Sequence, residues 1–298
     1  MGFSLLTALL FAWSVTCARQ STRHHGADLA NLGRILVALC VLGSWVLLSG
    51  REPIAPGWAW LVLSGALGLG IGDIALFHAL PRIGPGLTLL LMQCLAAPFA
   101  LVIEYLMLGT TLSWAQAGAA SVILGGVALA LGAPAEGDPA QRRLGIALAI
   151  LAALGQACGA VSTPLAKAAC VAAQHPVPDG ISQGFVRLLG GVPVILGFVL
   201  WRARSLPGGL LGEVRRPYLP WLALAWLVMN GLSGPSLGIA CYQQALLDQP
   251  SALVLSLVAL SPILALPMQG LTEGRRPGLR TWIGAAVAVG GVILLRLA

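Results

Sequence analysis

The polar residues with the clearest chemical capacity lie inside long apolar stretches of the sequence. Asp73 and Phe77 are four residues apart, on one face of a predicted helix, and His78 follows directly. A buried carboxylate beside an imidazole could exchange protons, because the charge of each group changes how readily the other binds a proton. The alternative is structural: Asp73 pairs with Arg34 or Arg187, and His78 contacts water near the helix end.

A second set of polar and aromatic side chains also lies within apolar runs. The amides of Gln93, Gln156 and Asn230 must each hydrogen-bond another helix or a bound solute. Arg34 and Arg187 could hold a carboxylate through two hydrogen bonds, or could instead extend toward the membrane surface. The set predicts a cavity for a zwitterion with an apolar side chain, although Trp13 could equally pack against lipid. Its predicted binding residues are Trp13, Arg34, Asp73, Phe77, His78, Gln93, Gln156, Arg187, Asn230, Tyr242 and Gln243.

One motif suggests an enzyme. The segment from Gly234 to Gly238, with Ser236 at its centre, satisfies the G-x-S-x-G pattern of serine hydrolases. The first half has Gly68-Leu69-Gly70-Ile71-Gly72 at nearly the same place, without a serine, so the shared feature is G-x-x-x-G, which lets helices pack closely. We therefore expect no enzyme activity, with an intramembrane hydrolase as a minor alternative. Neither a metal-ligand pattern nor a phosphate-binding loop is present, so we expect no metal and no cofactor.

The composition identifies the solvent. Of the 298 residues, 58% are hydrophobic and only 9% are charged, too few to cover the surface of a water-soluble domain of this size. The mean hydropathy of +0.89 indicates a lipid bilayer as the main surroundings. Although the formal net charge is +7, the cations are scattered between apolar runs, so we expect no nucleic-acid partner.

Charged residues, prolines and glycines divide the chain into ten apolar runs, each near the 20 or so residues that cross a hydrocarbon layer of about 30 Å. Continuous runs rich in Ala, Leu and Gly favour helices over the alternating pattern of a membrane barrel. The sequence therefore predicts an all-α polytopic membrane protein. The predicted spans are Phe3–Ala18, Leu29–Leu48, Trp58–Ala79, Leu87–Leu108, Trp114–Leu131, Leu144–Cys170, Ile181–Trp201, Leu219–Gln243, Ala252–Leu271 and Trp282–Leu297.

The two halves of the chain resemble each other. An offset of 165 residues places Pro85 on Pro250 and the Gly125-Gly126 pair on Gly290-Gly291. We predict two five-helix repeats, residues 1–133 and 144–298. Because five is odd, the second repeat must enter the membrane from the opposite side, which makes the halves an inverted pair. Arginines and lysines concentrate in the loops after odd-numbered spans, which predicts those loops in the cytoplasm and both termini outside.

These features resemble the EamA family of the drug/metabolite transporter superfamily. The resemblance rests on a proline-initiated fourth helix with a second proline in each half, on the Gly-Gly pair of each fifth helix, and on the Ser261-Pro262 pair of the ninth. It covers nearly the whole chain. It implies a ten-helix carrier that exports small organic metabolites, often amino acids, from a cavity between the halves. A multidrug exporter of the same superfamily is the alternative.

From this resemblance and the inverted repeats, we expect alternating access, with Pro98, Pro235 and Pro262 as hinges because proline removes a backbone hydrogen bond. The expected partners are a small-molecule substrate and the lipid bilayer, in a bacterial-type inner membrane. The sequence leaves open whether a proton is coupled to the flux and whether the chain is a monomer or a homo-oligomer.

Overall fold

The computed structural model describes residues 2–50, 52–108, 113–131, 138–205, 220–248, 254, 257–274 and 278–297, and every regular element in them is helical. The start of the predicted ninth span, including residues 252, 253, 255 and 256, lies outside the described residues. The helices are α1 Gly2–Ser49, α2 Trp58–Ile83, α3 Pro85–Leu108, α4 Trp114–Leu131, α5 Pro139–Ala172, α6 Gly180–Ser205, α7 Pro220–Asp248, α8 Ser261–Glu273 and α9 Leu279–Leu297.

Length and composition make 6 of the described helices candidates for crossing a membrane, namely α1, α2, the Pro85–Ile103 part of α3, α5, α6 and α7. Two shorter apolar helices, Trp114–Ala130 and Leu279–Leu295, belong to α4 and α9. All of them carry large apolar side chains on their outer surfaces, such as Leu106, Trp201 and Leu294. A bilayer, unlike water, can solvate such surfaces at no hydrophobic cost.

The first two predicted spans are joined in one kinked helix. α1 has 48 residues, so at 1.5 Å per residue it is about 72 Å long, more than twice the hydrocarbon thickness. Its single break is Gly26, with φ 78° and ψ 166°. Only glycine adopts such a conformation readily, so a one-residue bend replaces the loop that the charged residues predicted between the two spans.

Two helices contain a π-helical segment that the sequence did not predict. In α2 the segment is Gly65–Gly72, and in α7 it is Leu232–Gly238. Both are glycine-rich, and the second contains Pro235, which cannot donate the regular backbone hydrogen bond. π-Helical turns are frequent at functional sites, and these two occupy matching places in the two halves.

Each half also packs against the other at or directly before its π-helical segment, since Gly65 begins the first segment and Gly231 precedes the second. A Cβ atom built at Gly65 would lie 1.8 Å from the carbonyl oxygen of Arg187, and one at Gly231 would lie 2.8 Å from that of Arg34. Only glycine permits backbones to approach this closely. The two arginine-bearing helices are thereby held against the middle of the opposite half.

The helices α4 and α9 run antiparallel along each other. A Cβ atom at Gly126 would lie 2.4 Å from the nitrogen of Ala288, and one at Gly291 would lie 2.8 Å from the nitrogen of Ile123. Nearer the end of α4, Ala130 faces Gly284. Residue numbers therefore increase along one helix where they decrease along the other. The two contacts are equivalent, because the offset of 165 residues that relates the halves converts Gly126 into Gly291 and Ile123 into Ala288.

Candidate functional site

A central cavity of about 70 Å³ lies between the halves. This volume holds a few water molecules or part of a small solute. Both π-helical segments contribute to the wall, Gly68, Leu69 and Gly72 from the first and Gly234 and Pro235 from the second. The other lining residues are Phe11, Ser14, Val15, Ala18, Arg34, Asp73, Leu76, Leu89, Met92, Ala152, Gln156, Arg187, Ile239 and Tyr242.

Arg34 is neutralised inside the wall. Its Nη2 donates to Oδ2 of Asp73, and its Nε donates to Oδ1 of Asn31 at 3.1 Å. Its guanidinium carbon lies 4.7 Å from the centre of the Phe77 ring, close enough for a cation–π contact. Since Arg34 and Asp73 are only 5% and 8% exposed, their charges are compensated by each other and not by water. This is the structural pairing that the sequence offered as one reading of Asp73.

Arg187 forms no ion pair among the described residues, although the negative charge of Asp73 attracts it as well as Arg34. Its Nη1 donates to Oε1 of Gln243 at 3.3 Å, Gln243 Nε2 donates to Oε1 of Gln183 at 3.0 Å, and Gln183 Nε2 donates to the carbonyl of Pro178 at 2.8 Å. Arg187 is 4% exposed, and its Nε has no hydrogen-bond partner among the described residues. A guanidinium keeps its positive charge under all ordinary conditions. The cavity wall therefore contains two cations and one anion, a net charge of +1.

Four more of the predicted binding residues differ in their distance from the cavity. Gln156 and Tyr242 line the cavity directly. Asn230 is fully buried just behind it, where its Oδ1 accepts a hydrogen bond from the hydroxyl of Ser14 at 2.8 Å. Gln93 is buried on α3 outside the lining, and its Nε2 has no partner among the described residues.

Trp13 and His78 are not among the lining residues. Trp13 is half-buried and packs on Trp226, with ring centres 6.1 Å apart. His78 Nε2 lies 2.8 Å from Oδ1 of Asp28, whose other oxygen accepts from Arg202 Nε at 3.0 Å. The structure thus joins His78 to the kinked part of α1 and to α6, instead of to Asp73 in a relay. Any part that Trp13 and His78 have in solute binding stays a prediction.

The three predicted hinge prolines have different surroundings. Pro98 lies inside α3, and Pro235 lies in the second π-helical segment, where it also lines the cavity. Pro262 is in the first turn of α8, directly after a turn at residues 259 and 260. A proline in the first turn removes no helical hydrogen bond, and the turn before it separates α8 from the helical residues 257 and 258. The part of Pro262 as a hinge stays a prediction.

Ser236 is engaged in local structure. Its hydroxyl is fully buried and donates to the carbonyl of Gly231 at 2.7 Å, five residues earlier in the π-helical segment. The histidine that the hydrolase alternative would need, His78, is bonded to Asp28. Within the described ranges, no group of three or more His, Cys, Asp or Glu side chains could hold a metal ion.

Several site residues escaped the sequence reasoning. Asn31 and Gln183 precede the two arginines by three and four residues, the spacing that places side chains on one helix face. This signal was available and would have identified both. The roles of Phe11 and Ser14 had no such signal, because their contacts with Tyr242 and Asn230 join distant parts of the chain.

Comparison with known proteins identifies both halves. A model of the EamA-like transporter family matches residues 1–132 and 143–297. A solved structure described as "Crystal structure of protein" is 20% identical, with a TM-score of 0.64, over 98% of this chain and 94% of that chain. At this identity the likeness concerns the fold alone. No curated protein matches the chain.

Proposed function

Because the chain belongs to the EamA-like transporter family, with both halves matching its model, we propose that it is a secondary carrier for small organic solutes that bear a carboxylate. The family membership makes the protein a membrane transporter. The chemistry of the cavity supports the narrower proposal on the solute.

The cavity favours an anionic group because of its charge. Asp73 is hydrogen-bonded to Arg34 and also attracts Arg187, so one carboxylate serves two buried cations, and the hydrogen bond of Arg187 is to a neutral amide. An uncompensated charge away from water costs several kcal/mol, and a solute carboxylate would remove that cost with charge-assisted hydrogen bonds. The excess of one buried cation over the single carboxylate of the cavity lining is the observation that carries the proposal.

The rest of the wall favours an apolar body on the same solute. Phe11, Leu76, Met92 and Ile239 offer aliphatic and aromatic surface beside the arginine. A small amino acid with an apolar side chain combines the two properties. A cationic drug, the alternative within the superfamily, would meet a wall that is already positive, so the charge of the cavity disfavours it.

We further propose ten membrane crossings in two inverted halves. α1 is long enough to supply two crossings on either side of its Gly26 kink, and α4, α8 and α9 would supply the remaining ones beyond α2, α3, α5, α6 and α7. The antiparallel contact of α4 with α9 supports inversion, since equivalent helices of an inverted pair run in opposite directions. The arginine bias supports cytoplasmic odd-numbered loops and external termini in an inner membrane.

Alternating access would follow from rocking of one half against the other around the cavity. The two π-helical segments lie at the contact between the halves and line the cavity. Their backbone hydrogen bonds are irregular, so they are the places where a change of helix geometry costs least. With Pro98 and Pro235 they are the proposed hinges of the cycle, and export is the proposed direction.

The test is counterflow of radiolabelled leucine in proteoliposomes with purified protein. We expect saturable uptake, and a rise of about tenfold or more in the half-saturating leucine concentration for Arg187→Gln, the size of a lost hydrogen bond to a charged group. Arg204→Gln on the same helix is the matched control, because Arg204 is exposed near the end of α6, and it should transport like the parent. Equal transport by Arg187→Gln and the parent would exclude this site.

A further inference from the structure

We propose that Gln243 and Gln183 are positioning residues that determine charge selectivity, because they hold Arg187 in place without neutralising it. This inference rests on the proposed carrier function and specifies how its binding site discriminates. It assigns roles behind the cavity wall to Gln183, which the sequence did not indicate, and to Gln243, which the sequence predicted in contact with the solute.

The two amides form a chain with one possible direction. The carbonyl of Pro178 can only accept, so Gln183 must present its Nε2 to it and its Oε1 to Gln243. Gln243 must then present Nε2 to Gln183, which leaves its Oε1 for the Nη1 of Arg187. Each amide group is thus oriented by the one before it, and the last oxygen in the chain can only accept from a cation or another donor.

The surroundings confine the guanidinium as well. A Cβ atom at Gly159 would lie 3.2 Å from Nη2 of Arg187, and one at Gly68 would lie 3.6 Å from it. Gln243 is 0% exposed and Gln183 is 3% exposed, so water does not compete for these hydrogen bonds. The side chain is therefore held from two sides while its Nε has no partner among the described residues.

The other arginine shows what a carboxylate does at the matching place. Arg34 is held by Asp73, and the two charges cancel. Arg187 is held with comparable burial by a neutral amide and shares the one carboxylate of Asp73 with Arg34, so a net positive charge remains for a solute. One arginine serves the structure of the wall, and the other serves recognition. The difference between the two arginines depends on position 243, where a neutral glutamine and not a glutamate contacts Arg187.

Gln243→Glu tests this directly, because it keeps the size of the side chain and places a carboxylate against Arg187. The probes are 4-methylpentanoate and its neutral amide, 4-methylpentanamide, which differ in charge and not in carbon skeleton. Their dissociation constants are measured on purified full-length protein in detergent by ligand-induced shifts of the melting temperature. We expect the parent to prefer the carboxylate by about tenfold or more, and Gln243→Glu to reduce that preference to less than about threefold.

Gln244→Glu is the matched control. It adds the same charge on the neighbouring residue of α7, where Gln244 accepts from the backbone nitrogen of Gly180 and donates to Oδ1 of Asp248, and has no hydrogen bond to Arg187. We expect it to keep the parent's preference. Gln183→Leu breaks the chain without adding charge and should weaken carboxylate binding several-fold, which decides the matter if Gln243→Glu does not fold.

The outcomes separate the two proposals. A parent that shows no preference for the carboxylate, or a folded Gln243→Glu variant that keeps the full preference, overturns the selectivity proposal. Equal losses for Gln243→Glu and Gln244→Glu also overturn it, since the effect would then come from net charge alone. A parent that prefers the carboxylate but gives no saturable leucine counterflow supports the selectivity proposal and refutes leucine as a solute of the proposed carrier.

Discussion

At the scale of single residues, the two arginines of the cavity wall differ in what compensates their charge. The sequence places Arg34 and Arg187 near the starts of corresponding spans, one in each half. In the structure, Arg34 hydrogen-bonds a carboxylate and an amide and lies on an aromatic ring, whereas Arg187 hydrogen-bonds the amide chain and feels the charge of Asp73 without an ion pair to it. Their sequence contexts are similar, and the difference lies entirely in residues that reach them from other helices.

The Arg34–Asp73 pair gives a prediction on stability. Asp73→Asn should lower the free energy of unfolding by about 3 kcal/mol or more, because it leaves a buried cation without its anion. The double variant Arg34→Gln with Asp73→Asn should lose less than the single variant, since it buries no unpaired charge. Thermal and denaturant unfolding in detergent micelles, followed by circular dichroism, measures both. Strictly additive effects of the two substitutions would contradict the pairing.

At the scale of helices, glycine decides how closely the halves approach. The two adjacent glycines Gly125 and Gly126 of α4 differ in whether a side chain would fit. A Cβ atom at Gly126 would overlap the backbone of α9, while one at Gly125 would meet nothing within 4 Å. The sequence shows the Gly-Gly pair but not which member faces the partner helix, because that depends on how α4 is rotated about its axis.

This difference gives a matched pair of substitutions. Gly126→Ala should destabilise the protein by about 1–3 kcal/mol, because α4 and α9 must move apart. Gly125→Ala should be neutral or stabilising by up to about 1 kcal/mol, because alanine has the higher helix propensity and finds open space. Melting temperatures of the two purified variants, compared with the parent, measure the difference. Equal losses would show that α4 is oriented differently from the structure.

The kink of α1 is connected to a second cluster of charges. Asp28 lies two residues after Gly26 and accepts hydrogen bonds from His78 of α2 and Arg202 of α6. The cluster joins both halves at the end of the bundle away from the Gln183–Gln243 chain. His78 therefore contributes to the contact between helices through a carboxylate, which neither the proton exchange with Asp73 nor the water contact predicted from the sequence had included.

At the scale of the whole molecule, the proposed inversion of the halves has a direct consequence for topology. Ser113 precedes α4 and Gly278 precedes α9, both are exposed, and they are related by the offset of 165 residues. In an inverted pair, equivalent loops lie on opposite sides of the membrane. The arginine bias predicts that Ser113 lies outside and that Gly278 lies in the cytoplasm.

Single cysteines at these two positions test the topology. In a background without the six native cysteines, Ser113→Cys should react with a membrane-impermeant maleimide on intact cells, whereas Gly278→Cys should react only after permeabilisation. Labelling of both variants in lysed cells controls for accessibility. Reaction of both cysteines from the same side would rule out the inverted arrangement and the alternating-access cycle that depends on it.

The sequence by itself determined the membrane setting, the helical class, the two related halves and most of the polar residues of the cavity. It could do so because a hydrocarbon layer demands continuous apolar helices, and because each buried polar group in such a helix is conspicuous. Gln183 and Asn31 were within reach of the same reasoning through their spacing from the two arginines.

Only the tertiary structure decided the one-residue kink at Gly26, the π-helical segments beside the cavity, and the pairing of Asp73 with Arg34 instead of Arg187. Each depends on the rotation and separation of helices that are far apart in the chain. Side chains on one helix report which residues share a face, but the partner that a buried charge meets is set by the packing of several helices at once.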